Sequence, residues 1–244
     1  MKSSRKMTLW EEMRQQFPAF PEGVGEIVEP ITGSAFFPGG LGLRVVSGAE
    51  SDILCGQIMV VGQDFDTEAK YREALKSPSG EECHPTWSRM MRLFEQYDID
   101  PNECFFTNLY MGLRKHGPAT GPFVGRKDPV FVERCAKFFE HQVAVVKPRL
   151  IIMFGLPAIQ GAGKVLGIQH GKSLCDYNRV YRSELPHGET VVVLVTHPSH
   201  HKLNVEHRCY QDCNGQEFRG QAAETALMWE AKQTAFPGGV CGAK

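Results

Sequence analysis

Apolar residues along this chain follow two rhythms. Unbroken runs rich in β-branched side chains, at residues 58–61, 104–107, 150–154 and 191–196, read as strands buried on both faces of a parallel sheet. Between them, apolar positions at helical spacing predict helices over 8–17, 86–97, 128–146 and 221–234, with a short helix beginning near Pro157. Pro18 ends the first helix, residues 98–102 break the second, and Pro148 breaks the third. Asp128 followed by Pro129 is a helix start, an N-cap with proline at the first helical position. Residues 20–48 are rich in Gly and Pro without a sustained period and predict irregular structure wrapping the domain. Residues 66–80 are polar and read as helix or loop, and 167–188 are loop-rich with room for a short edge strand. Strands alternating with helices imply an α/β fold of three layers, α/β/α, around a central, mainly parallel four-stranded sheet. A single domain over 1–244 is expected: helix and wrap over 1–50, the α/β core over 51–236, a tail over 237–244.

Composition narrows the function classes. Hydrophobic residues at 42% and charged residues at 23% are ordinary globular values. No apolar run approaches the roughly 20 residues that cross a bilayer, and MKSSRKMTLWEEM lacks the apolar core of a signal peptide, so a cytoplasmic protein without a membrane partner is expected. A formal net charge of −1 gives no global attraction to nucleic acid, so such binding must come from local basic clusters. The eight cysteines include no Cys-x-x-Cys pair. Cys209 and Cys213, which a helix face would bring together, fall short of zinc or iron–sulfur ligand patterns. No metal or cofactor is expected.

The chemistry concentrates where three strands end. The run over 191–196 stops at His197, Pro198 and Ser199; the first run stops at Gly62, Gln63 and Asp64; the second stops at Asn108. In open parallel sheets with right-handed crossovers the strand carboxyl ends share one edge, and ligands bind there. Residues distant in sequence therefore converge on one crevice.

These segments resemble the signature motifs of the uracil-DNA glycosylase superfamily. GQDFDT from Gly62 is similar to the water-activating motif, THPSHHKLN to the His-Pro-Ser loop, and FFTNLYMGLR to the base-reading strand. ERCAKFFEHQVAVVKPRLIIMFGLPAIQ is similar to a helix-and-strand block of the bacterial iron–sulfur branch, without that branch's cysteines. The likeness spans 58–204 with the motifs in order. It implies a glycosylase-like fold and a monofunctional DNA glycosylase, acting as a monomer on DNA, that flips a pyrimidine nucleotide into a pocket and hydrolyses its N-glycosidic bond. Asp64 would stabilise the sugar cation and position water, and His197 would donate to the developing oxyanion at O2. Asn108 would read the Watson–Crick edge, with Gln63 supplying backbone contacts. Pro198, Ser199, His200 and neighbouring residues would grip the DNA backbone. Arg114, Lys115, Arg126, Lys127, Lys202 and Arg208 would form the phosphate footprint.

Two departures bear on the substrate. The superfamily's usual motif continues Gly-Gln-Asp with Pro-Tyr, the tyrosine crowding C5 of the base; here the positions hold Phe65 and Asp66. A polar gate without that barrier implies a pyrimidine with a polar C5 substituent, such as hydroxymethylated or glucosylated cytosine, and a role against phage DNA; uracil is the alternative. The intercalating leucine position falls on His201, with Leu203 the apolar alternative, and Phe65 and Trp87 both qualify to stack on the base. Two rival chemistries lose residues they need. Residues 158–165, AIQGAGKV, lack the first glycine and the Ser/Thr of a phosphate-binding loop, and Ser199 lacks a Gly-x-Ser-x-Gly elbow. A non-catalytic nucleic-acid binder is the rival of another class, and retention of Asp64 and His197 argues against it.

Overall fold

The apolar runs lie side by side, and their order in space fixes where every loop emerges. The computed structural model describes residues 9–28, 40–41, 58–77, 85–169 and 171–238. The chain opens with α1 (Leu9–Gln16), β1 (Val24–Gly25), β2 (Gly40–Leu41) and β3 (Ile58–Gly62). It continues through α2 (Glu68–Lys76), α3 (Pro85–Gln96), β4 (Cys104–Asn108), β5 (Leu113–Arg114), α4 (Pro129–Val146) and β6 (Leu150–Phe154). After these come α5 (Leu156–Leu166), β7 (Tyr181–Leu185), β8 (Gly188–Val195), α6 (His201–Asn204), the hairpin β9 (Cys209–Gln211) and β10 (Glu217–Arg219), and α7 (Gly220–Ala235).

The central sheet runs β2-β4-β3-β6-β8-β7. β4, β3, β6 and β8 are mutually parallel, whereas β2 and β7 pair antiparallel at the two edges. A four-stranded sheet is thus the parallel core only, and six strands form the sheet among the described residues. β2 falls in the stretch read as irregular wrap, because a two-residue strand carries no period to detect. Within that wrap β1 also pairs with β5. Its parts at 29–39 and 42–48, the end of the tail at 239–244, and Cys55, Cys83 and Cys241 lie outside the described residues.

Period-two alternation splits the strand side chains between two layers. Met59, Val61, Phe105, Ile151, Met153, Val192 and Leu194 pack with residues of α1, α4 and α5. Ile58, Val60, Phe106, Ile152, Phe154, Val193 and Val195 pack with α3 and α7. Both faces of the parallel core are therefore apolar, which is why its runs are unbroken rather than alternating.

The helix boundaries follow local chemistry. Asp128 accepts from Val130 N and Phe131 N, both at 2.9 Å, and Pro129 follows it. Lys147 ends α4 in the left-handed conformation (φ 50°) just before Pro148. The AIQGAGKV stretch lies inside α5 and forms no phosphate loop. Cys209 and Cys213 share no helix: Cys209 starts β9, Cys213 lies in the turn beyond it, and both are exposed. No described helix is long and apolar enough to cross a membrane.

Candidate active site

The parallel register brings the strand ends level. Gly62 pairs with Asn108 across β3 and β4, and Phe154 with Val195 across β6 and β8. The loops that follow are tied together by backbone bonds, Leu109 N to Gly62 O at 3.0 Å and Tyr110 N to Gln63 O at 2.9 Å. Above this edge lies a cavity of about 500 Å³, with Gln63, Asp64, Phe65, Asp66, Asn108 and His197 in its wall. The carboxylate, amide and imidazole expected to converge line one and the same cavity.

The Asp64 side chain is 6% exposed and bound bidentate by Arg114, Nη2 to Oδ2 at 2.7 Å and Nε to Oδ1 at 3.0 Å. Oδ1 also accepts from Asp66 N at 3.1 Å. Burial pushes the Asp64 carboxyl above its ordinary range, and Arg114 opposes that shift. The remaining Arg114 donors reach carbonyls of Pro118, Thr120, Gly121 and Pro122. Arg114 is therefore no phosphate contact. With 5% exposure and its donors spent internally, it pins a cavity-lining loop to the carboxylate.

His197 leaves β8 beside Gly155, whose φ of 80° and missing side chain permit the approach; a Cβ there would stand 3.2 Å from the His197 Cβ. Ser199 N donates to His197 Nδ1 at 3.2 Å. An Nδ1 that accepts leaves the ring proton on Nε2. Desolvation, with a smaller contribution from His200, pushes the imidazole down to about 4, so the ring is neutral at physiological pH. The loop is held from α3: Ser199 Oγ and Thr86 Oγ1 share a hydrogen bond of 2.9 Å, and Arg89 Nη1 donates to Ser199 O at 3.3 Å.

Asn108 is wholly buried at the end of β4. Asp66 adopts a left-handed φ of 66°, its carbonyl accepting from Arg114 N at 2.8 Å and its Oδ1 from Thr67 N at 2.6 Å. Both aromatic candidates, Phe65 and Trp87, contribute to the cavity wall and to the core. Gln63 Nε2 reaches Gly121 O at 3.4 Å, and its carbonyl is occupied by Tyr110.

The residues expected to face DNA divide by exposure. Lys115, Arg126, Lys127, Lys202 and Leu203 are exposed, Leu203 at 71%. Pro198 is buried, and His201 turns inward, Nε2 donating to Glu224 Oε1 at 3.1 Å. Of the two wedge candidates, Leu203 is thus the outward-facing one. Arg208 is 2% exposed and spends its guanidinium on Leu194 O, Leu174 O, Asn178 and Glu224, so it too leaves the phosphate footprint. Sequence reasoning missed the wall formed by Lys70, Glu73 and Ala74 of α2 and by Gly155, Leu156 and Pro157. Among the described residues no group of three or more His, Cys, Asp or Glu is placed to hold a metal.

A parallel sheet with helices on both faces and a crevice at its carboxyl edge is an α/β architecture in which ligands bind beyond the strand ends. Residues 56–214 match the Uracil DNA glycosylase superfamily, and the chain belongs to it. Its members are DNA glycosylases, which makes DNA the partner of this class. No curated protein matches the chain.

Proposed function

We propose that this protein is a monofunctional DNA glycosylase that flips a pyrimidine nucleotide into the cavity and hydrolyses its N-glycosidic bond. The carrying observation is that Asp64, Asn108 and His197 line a single cavity at the ends of three parallel strands. Cleavage builds positive charge on the sugar and negative charge on the departing base. His197, neutral and with its proton on Nε2, is suited to donate to the O2 oxyanion without first losing a proton. A carboxylate oxygen offers about two acceptor positions. Oδ1 of Asp64 accepts from Asp66 N and Arg114 Nε, whereas Oδ2 accepts from Arg114 Nη2 alone and is the less occupied oxygen. That oxygen serves the attacking water, and the carboxylate faces the sugar cation. Asn108 reads the base edge through its amide. Leu203 fills the space of the extruded nucleotide, while Lys115, Lys202, Ser199 and His200 hold the strand.

For the base, we favour a pyrimidine carrying a polar C5 substituent, such as a hydroxymethylated or glucosylated cytosine, and hence a role against phage DNA. Supporting this are Asp66 at the gate, the polar wall continued by Lys70 and Glu73, and a cavity larger than a bare pyrimidine ring requires. Matched oligonucleotides containing uracil, thymine or C5-modified cytosine, scored for abasic sites after alkali, test it. Release of uracil alone sinks the modified-base reading.

A second reading has one observation in its favour. Pairing with Arg114 neutralises the carboxylate the reaction needs, as suits a DNA binder that keeps the fold without the chemistry. Retarded DNA in a gel without abasic sites, unchanged by Asp64→Asn, would select it.

A further inference from the structure

Outside the cavity wall lies a buried carboxylate. Glu224 lies on the inner face of α7, fully buried, with Ala223, Leu227, Met228 and Ala231 around it. Its Oε2 accepts from Thr196 N at 2.8 Å, and its Oε1 from Thr196 Oγ1 at 2.7 Å, His201 Nε2 at 3.1 Å and Tyr97 Oη at 3.2 Å. Arg208 Nε stands 3.4 Å from Oε2. Despite desolvation, these donors hold the Glu224 carboxyl below its ordinary range.

Thr196 is the residue before His197, and His201 closes the turn that follows it. One carboxylate thus grips the loop on both sides of the imidazole, from a helix that contributes nothing to the cavity wall. The same group reaches further through its partners. Arg208 carries the tie to the β8 carbonyl of Leu194 and to Leu174, which lines the cavity. Tyr97 carries it to the end of α3, the helix whose Thr86 and Arg89 hold Ser199.

We propose that Glu224 is the positioning residue of the His197 loop, fixing the distance and aim of the imidazole without touching the substrate. A buried carboxylate is costly unless every partner is in place. The arrangement is therefore all-or-none: the loop is held in one geometry, or the network opens. This rests on His197 being the oxyanion donor.

The test compares wild type with Glu224→Gln and Glu224→Ala in three measurements: single-turnover excision, affinity for the same DNA, and the imidazole nitrogen NMR signals of His197. Displacing a catalytic group by about 1 Å costs on the order of 100-fold in rate. Glu224→Ala should fall by about that much and Glu224→Gln by less, with DNA affinity held within about three-fold and the His197 signals shifted. If either variant loses its near-UV circular dichroism, the T196V/H201A double variant replaces it. That variant withdraws two donors, leaves Glu224 with Thr196 N, Tyr97 Oη and Arg208, and should show the same split. Folded variants with an unchanged rate overturn the proposal, as does an equal loss of rate and affinity with the His197 signals unmoved. A wild type that excises no base, with His197 signals that still move in Glu224→Ala, overturns the glycosylase reading and leaves the positioning role standing.

Discussion

Arg114 binds both oxygens of Asp64, at 2.7 and 3.0 Å, and the pair is almost wholly withdrawn from solvent. The guanidinium orients the carboxylate, offsets the cost of burying it, and draws residues 118–122 over the cavity. It also lowers the net negative charge that Asp64 would present to a sugar cation in the proposed reaction. Asp64 is thus an aimed carboxylate, with Oδ2 less occupied than Oδ1, rather than a free base.

Removing one partner of a buried ion pair costs about 3–5 kcal/mol, because the other charge is left unpaired. Arg114→Ala should lose stability of that order in urea unfolding. Arg114→Lys should also be destabilised, since a lysine ammonium has no planar fork to match a carboxylate. Neither change should alter the salt dependence of DNA binding. Lys202→Ala, by contrast, should reduce the slope of log K against log salt by about 0.9. A reduced slope in Arg114→Lys would return Arg114 to the phosphate footprint.

His197 donates one hydrogen bond to the developing oxyanion in the proposed reaction. Loss of one such donor costs about 100- to 1,000-fold in rate. His197→Ala should show that loss in single-turnover excision while binding abasic DNA about as well as wild type. A change under 10-fold would mean that the donor lies elsewhere in the cavity.

The parallel core is legible in the sequence because strands buried on both faces leave unbroken β-branched runs, and each run stops at a polar residue. The convergence of Asp64, Asn108 and His197 follows from that topology alone. Arg114 and Arg208 are misread because a sequence reports charge but not burial. Satisfying the Arg114 guanidinium requires carbonyls of residues 118, 120, 121 and 122 to gather at one point, which only tertiary structure shows. Glu224 does leave a trace: it is a charge within the apolar stripe of Ala223, Leu227, Met228 and Ala231. The edge strand at residues 40–41 and the β9–β10 hairpin leave none, being too short for a period of two.

Leu203 is 71% exposed, the most exposed large apolar side chain among the described residues, whereas His201 two residues earlier points inward to Glu224. A wedge matters only when a partner strand must be displaced. Leu203→Ala should slow excision from duplex DNA while sparing single-stranded DNA, and should change stability by no more than about 0.5 kcal/mol. Equal slowing on both substrates would remove Leu203 from the role. His201→Ala should slow both, because it loosens the loop.

The two groups assigned to the proposed reaction respond to pH with opposite sign. His197 is pushed from 6.5 down to about 4. Above pH 6.5 the folded and unfolded chains both hold it neutral; between 6.5 and about 4 only the unfolded chain takes the proton. Stability therefore declines as pH falls through that window, by up to about 3 kcal/mol, and this contribution levels off below it. Asp64 is shifted up from 3.8, so folding favours its protonated form, and its contribution fades as pH rises through the raised value. Urea unfolding across this range should show a shallower acid decline for His197→Asn than for wild type, and equal declines would mean the imidazole is not desolvated. For catalysis, no break should appear as pH passes the ordinary histidine value of about 6.5, because the working ring is already neutral. The acid limb should instead lie below the ordinary histidine value, where Asp64, shifted up from 3.8, and His197, at about 4, both take protons. A basic limb, with activity lost as pH rises through the ordinary histidine value, would place a charged His197 in the reaction and overturn the neutral-donor mechanism.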